Sequence, residues 1–448
     1  MKRLGYPGHF AGGVEAAASA GGQITPPIMG AAAFIMAEFL EVPYTTIVIA
    51  AIFPSLLHYV GVFSVVHLMA RKLSLTGLPR DMLPKFTEVW REGWANIVPL
   101  VGLLLVLFSG YTPFMAAFCG ISLAISTGMS RLREPLTLVY ALAFIAFVVW
   151  KYLGGGFGLN MSAILVAATV LGTFNPQERI HLKAMADTFE TGVKYALAVG
   201  AASAAVGIVV GVINTTGIGF RIGFMVAQGA GALGSDLHGI LSLGMDLFTV
   251  EQLTLFISLV FIAVACILMG AGIPTTALYI MLVSVAQPTL AQLGVTAIAS
   301  HMFVLYYGVV AEITPPVCTS AYAASAIANA NPFRTGLSAF TLGLGKVVAP
   351  MAFVYAPVLL FVSSTGFDFL EFSYTASSCI AGVVALSTAV VGYWLAPMGV
   401  LSRLLMALAG IIFIAPSLQA DLLALLVATP AVVGQVLARR GQLAVSPA

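Results

Sequence analysis

Apolar stretches long enough to cross a lipid bilayer recur along this chain, and they limit its fold more than any other feature. A bilayer core is about 30 Å thick, so each crossing helix needs roughly 20 mostly apolar residues. The composition agrees, because 60% of the 448 residues are hydrophobic and only 8% are charged, against about 25% in soluble proteins. The sequence therefore predicts an all-α polytopic membrane protein whose main solvent is the lipid bilayer.

The predicted crossings are distributed over the whole length of the chain. They cover residues 10–40, 44–70, 96–109, 112–129, 135–152, 159–174, 195–217, 297–330, 336–362, 376–396, 404–418 and 420–438. A further apolar stretch, 252–290, is interrupted near its middle by the run from Gly270 to Pro274. We interpret this stretch as a re-entrant helical hairpin, which leaves the membrane on the side where it entered.

Charged residues predict the orientation in the membrane. Under this span count most lysines and arginines fall on one side, among them Arg71, Lys72 and Arg403. Acidic residues such as Glu38 and Asp368 collect on the other side. Because loops rich in Lys and Arg face the cytoplasm, we expect both termini to be cytoplasmic.

Several function classes are disfavoured by the sequence. The net charge of +2, without a basic patch interleaved with aromatic residues, argues against nucleic-acid binding. The four cysteines lie far apart, so we expect buried small residues rather than metal or redox sites. A membrane-embedded enzyme, which stays an alternative, would show clustered acid, base or metal residues near one membrane face. We expect no enzymatic activity and no cofactor.

One motif occurs twice. The run Gln23-Ile-Thr-Pro-Pro-Ile28 matches Glu312-Ile-Thr-Pro-Pro-Val317 at a constant offset of 289 residues. Pro43 falls on Pro332 at the same offset. The first copy runs outward and the second inward under the predicted topology, which indicates inverted repeats.

Each proline pair lies in the middle of a membrane-length segment, 10–40 or 297–330. A proline removes a backbone donor and clashes with the preceding helical turn. Membrane helices tolerate a single proline as a kink, but a doubled proline after Thr in both halves favours a true break. Paired interrupted helices in inverted repeats point to a substrate and ion site near the midplane of the bilayer.

The broken segments and the hairpin both offer oxygen atoms to a cation. Unwound backbone exposes carbonyl oxygens that can replace the water around a sodium ion, and the Thr hydroxyls add more. In the hairpin, Gly270 and Gly272 permit a tight turn and Pro274 can start the next helix. Thr275 and Thr276 then supply hydroxyls, so we predict that the hairpin and the break of the same half clamp an ion.

Four motifs resemble the large membrane subunit of TRAP transporters, and in particular the fused permeases that work with TAXI-type binding proteins. They are the runs from Gly5 to Ser19, Gly21 to Gly30, Gly270 to Thr276 and Ile313 to Pro316. The resemblance covers about residues 5–362. It implies an elevator-type carrier of the bacterial inner membrane, which imports small organic acids on the sodium gradient. A TAXI-type solute-binding protein and a small four-helix membrane subunit are the implied partners.

The resemblance also implies site residues. At the second sodium site they are Gly270, Gly272, Thr275, Thr276, Thr314 and Pro315, and at the first site they are Gly22, Thr25 and Pro26. The family's first hairpin should precede Gly5, so we expect a truncated permease or one piece of a split gene. Two further departures are Ala271, where the family usually has methionine, and the segment 135–174, which resembles an insertion.

The predicted organisation has four parts. They are the end of the first-repeat transport region (1–70), an interfacial arm with scaffold helices (71–194), the second-repeat transport region (195–362) and C-terminal transmembrane helices (363–448). A stand-alone sodium–dicarboxylate carrier of similar architecture stays an alternative.

Other polar residues lie within the apolar segments. We predict Glu312 to line the substrate or ion pathway and Lys346 to pair with it, while Glu15 is either functional or solvated. His58, His67 and His301 are scattered and are interpreted as packing or hydrogen-bonding residues.

Overall fold

The computed structural model describes residues 1–78, 83–129, 182–241, 249–270, 272–362, 367–415 and 417–445. The described residues are nearly all helical, which confirms the predicted all-α class. The helices are α1 (Gly8–Gly21), α2 (Ala31–Phe39), α3 (Tyr44–Lys72), α4 (Phe86–Gly93), α5 (Val98–Phe108), α6 (Pro113–Met129), α7 (Leu182–Thr216), α8 (Ile218–Leu241), α9 (Val250–Met269), α10 (Thr275–Gln292), α11 (Ala297–Ala311), α12 (Thr319–Ala328), α13 (Pro332–Leu342), α14 (Leu344–Tyr355), α15 (Phe369–Val391), α16 (Val400–Ile412) and α17 (Leu418–Val445). The predicted crossings 135–152 and 159–174, and Ala271, lie outside the described residues.

Several helices are long and apolar enough to cross a membrane. Among the described residues these are Tyr44–Lys72, Val250–Met269, Pro332–Tyr355, Phe369–Val391 and Leu418–Arg440. Shorter apolar helices lie at Val98–Phe108, Ala204–Ile213, Ala297–Ala311 and Val400–Ile412. The chain is therefore a multi-pass membrane protein, as predicted.

The described chain forms two compact units, Met1–Gly77 with Val199–Ala448, and Leu78–Ala198. In the second unit, α5 packs on α6. The short helix α4 belongs to the predicted interfacial arm, and its Trp90 is exposed and stacked on Phe86. All four cysteines are free and buried, as predicted.

Both repeated motifs interrupt a helix, so the predicted breaks are present. In the first unit, α1 and α2 flank the first break, and α11 and α12 flank the second. The helices α1 and α11 begin at Gly8 and Ala297, which are equivalent positions under the repeat offset. The peptide bond between the two prolines is cis in both breaks. The repeat therefore extends from the motif to the helices on either side of it.

The stretch predicted as a hairpin consists of α9 and α10 with a short tip between them. Thr249 starts α9 with a capping box, in which its hydroxyl accepts from the Gln252 N–H and the Gln252 side chain accepts from the Thr249 N–H. Pro274 is the residue before α10. The turn between the helices uses Gly272 with a φ of +85°, a conformation that glycine adopts at little cost.

The sequence prediction differs from the structure on both sides of the span predicted at 195–217. That span ends with the 35-residue helix α7, which begins earlier, and the following helix α8 was not predicted. The polar residues and many glycines of α8 lower its hydropathy, yet they permit close packing. Gly223 and Gly234 lie so near Thr289 and Thr254 that a Cβ at either glycine would collide. Small residues that let helices approach closely are typical of packing in membranes.

Candidate functional site

The tip of the α9–α10 hairpin packs against the second break. A Cβ at Gly270 would overlap the Cβ of Ala311, the last residue of α11. A Cβ at Gly272 would lie 3.7 Å from the Val317 side chain, within the break itself. Both glycines predicted in the clamp therefore face the broken helix of their own half.

Glu312 is the centre of this arrangement. Thr275, at the start of α10, donates its hydroxyl hydrogen to Oε1 of Glu312. Gln23 donates from Nε2 to Oε2 of Glu312 at 2.7 Å. One half-buried carboxylate thus joins the hairpin, the second break and the first break. Hydrogen bonds to a charged acceptor are the stronger kind, so Glu312 holds three separate segments together.

The threonines of the two motifs make the same local bond. Thr25 donates to the Gly21 carbonyl at 2.6 Å, and Thr314 donates to the Val310 carbonyl at 2.7 Å. The hydroxyl oxygen of Thr25 also lies 3.1 Å from that of Tyr59. A hydroxyl that has donated its hydrogen still has oxygen lone pairs to offer. Each threonine can therefore be a ligand to a cation without breaking its helix bond.

Tyrosines hold the loop that follows each proline pair. Tyr44 donates to the carbonyls of Pro27 and Ile28, at 3.0 and 2.8 Å. In the second break Tyr322 donates to the Pro316 carbonyl. Sequence reasoning missed both tyrosines, since they occupy different positions in the two repeats. The sequence did contain a usable signal, because a tyrosine occurs near the start of a helix that follows each break.

The predicted site residues fall into two groups. Gly270, Gly272, Thr275, Glu312, Thr314 and Pro315 lie on two segments that pack against each other at the second break, with Thr276 next to Thr275 in the first turn of α10. Gly22, Thr25 and Pro26 lie at the first break, where Gly22 is exposed and has open space around it. In the second half, the predicted hairpin and the predicted break are therefore in contact with each other.

The prediction that Lys346 pairs directly with Glu312 is wrong. Lys346 is fully buried in α14, and its ammonium donates to the carbonyl of Ala17 in α1 at 3.1 Å. Glu312 interacts with it electrostatically without forming an ion pair. The pattern of charges along the sequence could not indicate this contact, because it joins residues 329 positions apart.

The remaining polar candidates are solvated, packed or hydrogen-bonded. Glu15 is exposed and accepts from Ser19 at 3.1 Å. His301 shares a hydrogen bond of 2.6 Å with Tyr279, and His67 stacks on Phe63. Among the described residues, no group of three or more His, Cys, Asp or Glu side chains could hold a metal ion.

A cavity of about 630 Å³ lies apart from both breaks. Its polar lining includes Glu41, Gln287 and His301. Neither Gln23 nor Thr275, the residues that bond with Glu312, lines this cavity. The cavity therefore contributes no group to the arrangement around Glu312.

Comparison with protein families identifies a match over most of the chain. The family described as "Tripartite ATP-independent periplasmic transporter, DctM component" matches residues 1–146 and 129–366. The matched region contains both breaks, the hairpin, Glu312 and Lys346, and it ends before α15. No curated protein and no solved structure is significantly similar to the chain.

Proposed function

Because this chain belongs to the family of the DctM component of tripartite ATP-independent periplasmic transporters, we propose that it is the sodium-driven permease of such a transporter. The family is one of transporter components and not of enzymes. The observation that carries sodium coupling is the convergence on Glu312 of the hairpin and both breaks.

The second break supplies the kind of ligands that a hard cation needs. Sodium, like other hard cations, gives up its water only for several oxygen ligands. The hydroxyls of Thr275, Thr276 and Thr314 and the backbone of Gly270, Gly272 and Pro315 offer such oxygens within two segments that pack together. Unwound backbone is tolerated at membrane depth where it lines a cavity or is buried in protein. At the first break, Gly22, Thr25 and Pro26 are the ligands that the resemblance to the family implies.

The partners follow from the tripartite family. Membership implies a periplasmic binding protein and a small membrane subunit. We propose a binding protein of the TAXI type, which the four motifs described above support, and small organic acids as substrates. The charge distribution supports an inner-membrane protein with cytoplasmic termini. The paired breaks support an elevator-type movement in which hairpin and broken helices carry the substrate together.

Transport in proteoliposomes tests this proposal. The vesicles contain the permease with its small subunit, and the binding protein loaded with substrate is added outside. Uptake should collapse when sodium is replaced by potassium at equal ionic strength. Uptake that persists without sodium and follows an imposed proton gradient would overturn the sodium assignment.

A matched pair of variants connects the result to the site. Glu312→Gln removes the charge at the point where three segments meet and should abolish sodium-driven uptake. Glu15→Gln removes an exposed carboxylate from α1 and should leave uptake unchanged. If both variants lose the same share of uptake, sodium-driven transport does not depend specifically on the arrangement around Glu312.

A further inference from the structure

Lys346 brings a cation to the first break from the second repeat. Its side chain is fully buried, and its ammonium donates to the carbonyl of Ala17. Ala17 lies about one turn before Gly21, the last residue of α1. A 3₁₀ turn, Gly22–Ile24, continues α1 directly, and the first break begins at Thr25. The ammonium therefore stands inside the protein, about two helical turns before the first break.

The C-terminal end of a helix attracts cations. The aligned peptide dipoles place about half a negative charge at a helix C-terminus, and half-helix C-terminal ends hold coupling cations in transporters with broken helices. Three exposed cations in this chain follow the same rule. Lys2 donates to Ala328 at the end of α12, and Lys72 and Arg403 donate to Val391 and Ala389 at the end of α15. Lys346 differs from these three because it is fully buried.

The surroundings of Lys346 provide charge balance without a direct ion pair. Glu312 is the carboxylate that interacts with it. The neighbouring His58 is fully buried and interacts with the backbone of the same Ala17. Gly345, next to Lys346, packs on the backbone of His58 so closely that it has no room for a side chain. A buried charge without a counter-charge is costly, so the ammonium depends on Glu312.

The two repeats differ in charge at two pairs of equivalent positions. Gln23 at the first break is neutral, whereas Glu312 at the second is an acid. The position equivalent to Lys346 in the first repeat is Leu57. The first break therefore has a built-in cation and no acid of its own, and the second break has an acid and no built-in cation.

We propose that Lys346 is a tethered cation, which takes the place of a coupling ion at the first break and leaves the second break as the sodium site. This inference rests on the proposed sodium coupling and deepens it. It replaces the ion predicted for Gly22, Thr25 and Pro26 with the ammonium of Lys346. One half of the transporter then holds a cation that is part of the chain, and the other half holds the exchangeable one.

Chemical rescue tests the tethered cation without reference to transport. The full chain in detergent is unfolded by heat and followed by tryptophan fluorescence. Lys346→Ala should lower the melting temperature, and added methylammonium should restore more than half of the loss, since a small amine fits the space of the missing side chain. Lys346→Met removes the charge but fills that space, so methylammonium should restore nothing. Rescue of neither variant, or equal rescue of both, would overturn the proposal.

Lys72→Ala is the matched control. Lys72 also donates to a carbonyl at a helix C-terminus, at 2.6 Å, but it is exposed. Water can replace its ammonium, so methylammonium should have no specific effect on this variant. An equal effect on Lys72→Ala would show a general action of the amine and would count against a specific site at Ala17.

Equilibrium binding of radioactive sodium to the purified chain is the second test, and it holds even where Lys346→Ala does not fold. Thr314→Val at the second break should lower sodium binding at least tenfold, and Thr25→Val at the first break should leave it unchanged. Loss of binding in Thr25→Val would overturn the proposal. Absence of sodium binding in the unaltered chain would instead overturn sodium coupling, and the rescue of Lys346→Ala would then decide the tethered cation by itself.

Discussion

Gln23 and Glu312 occupy equivalent positions in the two repeats and are hydrogen-bonded to each other, with 2.7 Å between Nε2 and Oε2. Equivalent residues of two repeats meet only close to the axis that relates them. An amide and a carboxylate are complementary there, whereas two carboxylates would repel. The repeats are therefore symmetric in backbone and asymmetric in charge at the place where they touch.

The contact predicts an effect of exchanging the two side chains. Gln23→Glu places two carboxylates together and should lower sodium-driven uptake at least tenfold, because like charges within hydrogen-bond distance destabilise each other. The double variant Gln23→Glu with Glu312→Gln restores one acid and one amide, so its expression and melting temperature should recover relative to Gln23→Glu. A double variant as unstable as the single one would contradict a direct contact in the membrane.

Thr276 and Thr314 are predicted to be hydroxyl ligands of sodium. Replacing either with Val keeps the shape and removes one oxygen, so the sodium concentration for half-maximal uptake should rise at least tenfold while expression stays normal. Thr388→Val is the control, since this buried threonine in α15 makes the same kind of bond to its own helix, to the Ala385 carbonyl. Unaltered sodium dependence in both site variants would show that the ligands are assigned wrongly.

Gly270 has no room for a side chain where the hairpin meets α11. Gly270→Ala should destabilise the protein by about 1–3 kcal/mol, the usual cost of forcing a methyl group into a packed interface, and should impair uptake through displacement of the hairpin tip. Gly434→Ala adds a methyl group to α17 in open space and should be neutral or slightly stabilising. Thermal unfolding and uptake, measured on both, distinguish a packing effect from a general effect of losing a glycine.

Tyr44 fixes the loop after the first proline pair through two carbonyls. Tyr44→Phe keeps the ring, which stacks on Phe34 with 4.3 Å between centroids, and removes both hydrogen bonds. We expect a loss of about 0.5–1.5 kcal/mol, because the single hydroxyl hydrogen is shared between the two carbonyls, and faster proteolysis near Pro27. A melting temperature equal to that of the unaltered chain would show that the hydroxyl does not hold the loop.

Features that depend on local chemistry could be predicted from the sequence. The proline pairs that begin at Pro26 and Pro315 predict the breaks, because two successive residues then lack the donor that a helix requires. Gly270, Gly272 and Pro274 predict the hairpin tip, because glycine permits a tight turn and proline can start the next helix. Among the described residues, the helix α8 was not predicted. It is stabilised by contacts of Gly223 and Gly234 with distant threonines, and hydropathy carries no information on such contacts.

The amino-acid sequence by itself determined that this chain is a helical membrane protein, where its helices break, and that the breaks are copies of one another. These properties follow from apolar length and proline chemistry, which act within a few residues. Only the tertiary structure decided that Gln23 is hydrogen-bonded to Glu312. It also decided that Lys346 donates to the carbonyl of Ala17 and not to Glu312, its predicted partner. Those contacts join residues 289 and 329 positions apart, and they depend on how whole helices pack, since a side chain bonds with whatever the packing brings within about 3 Å.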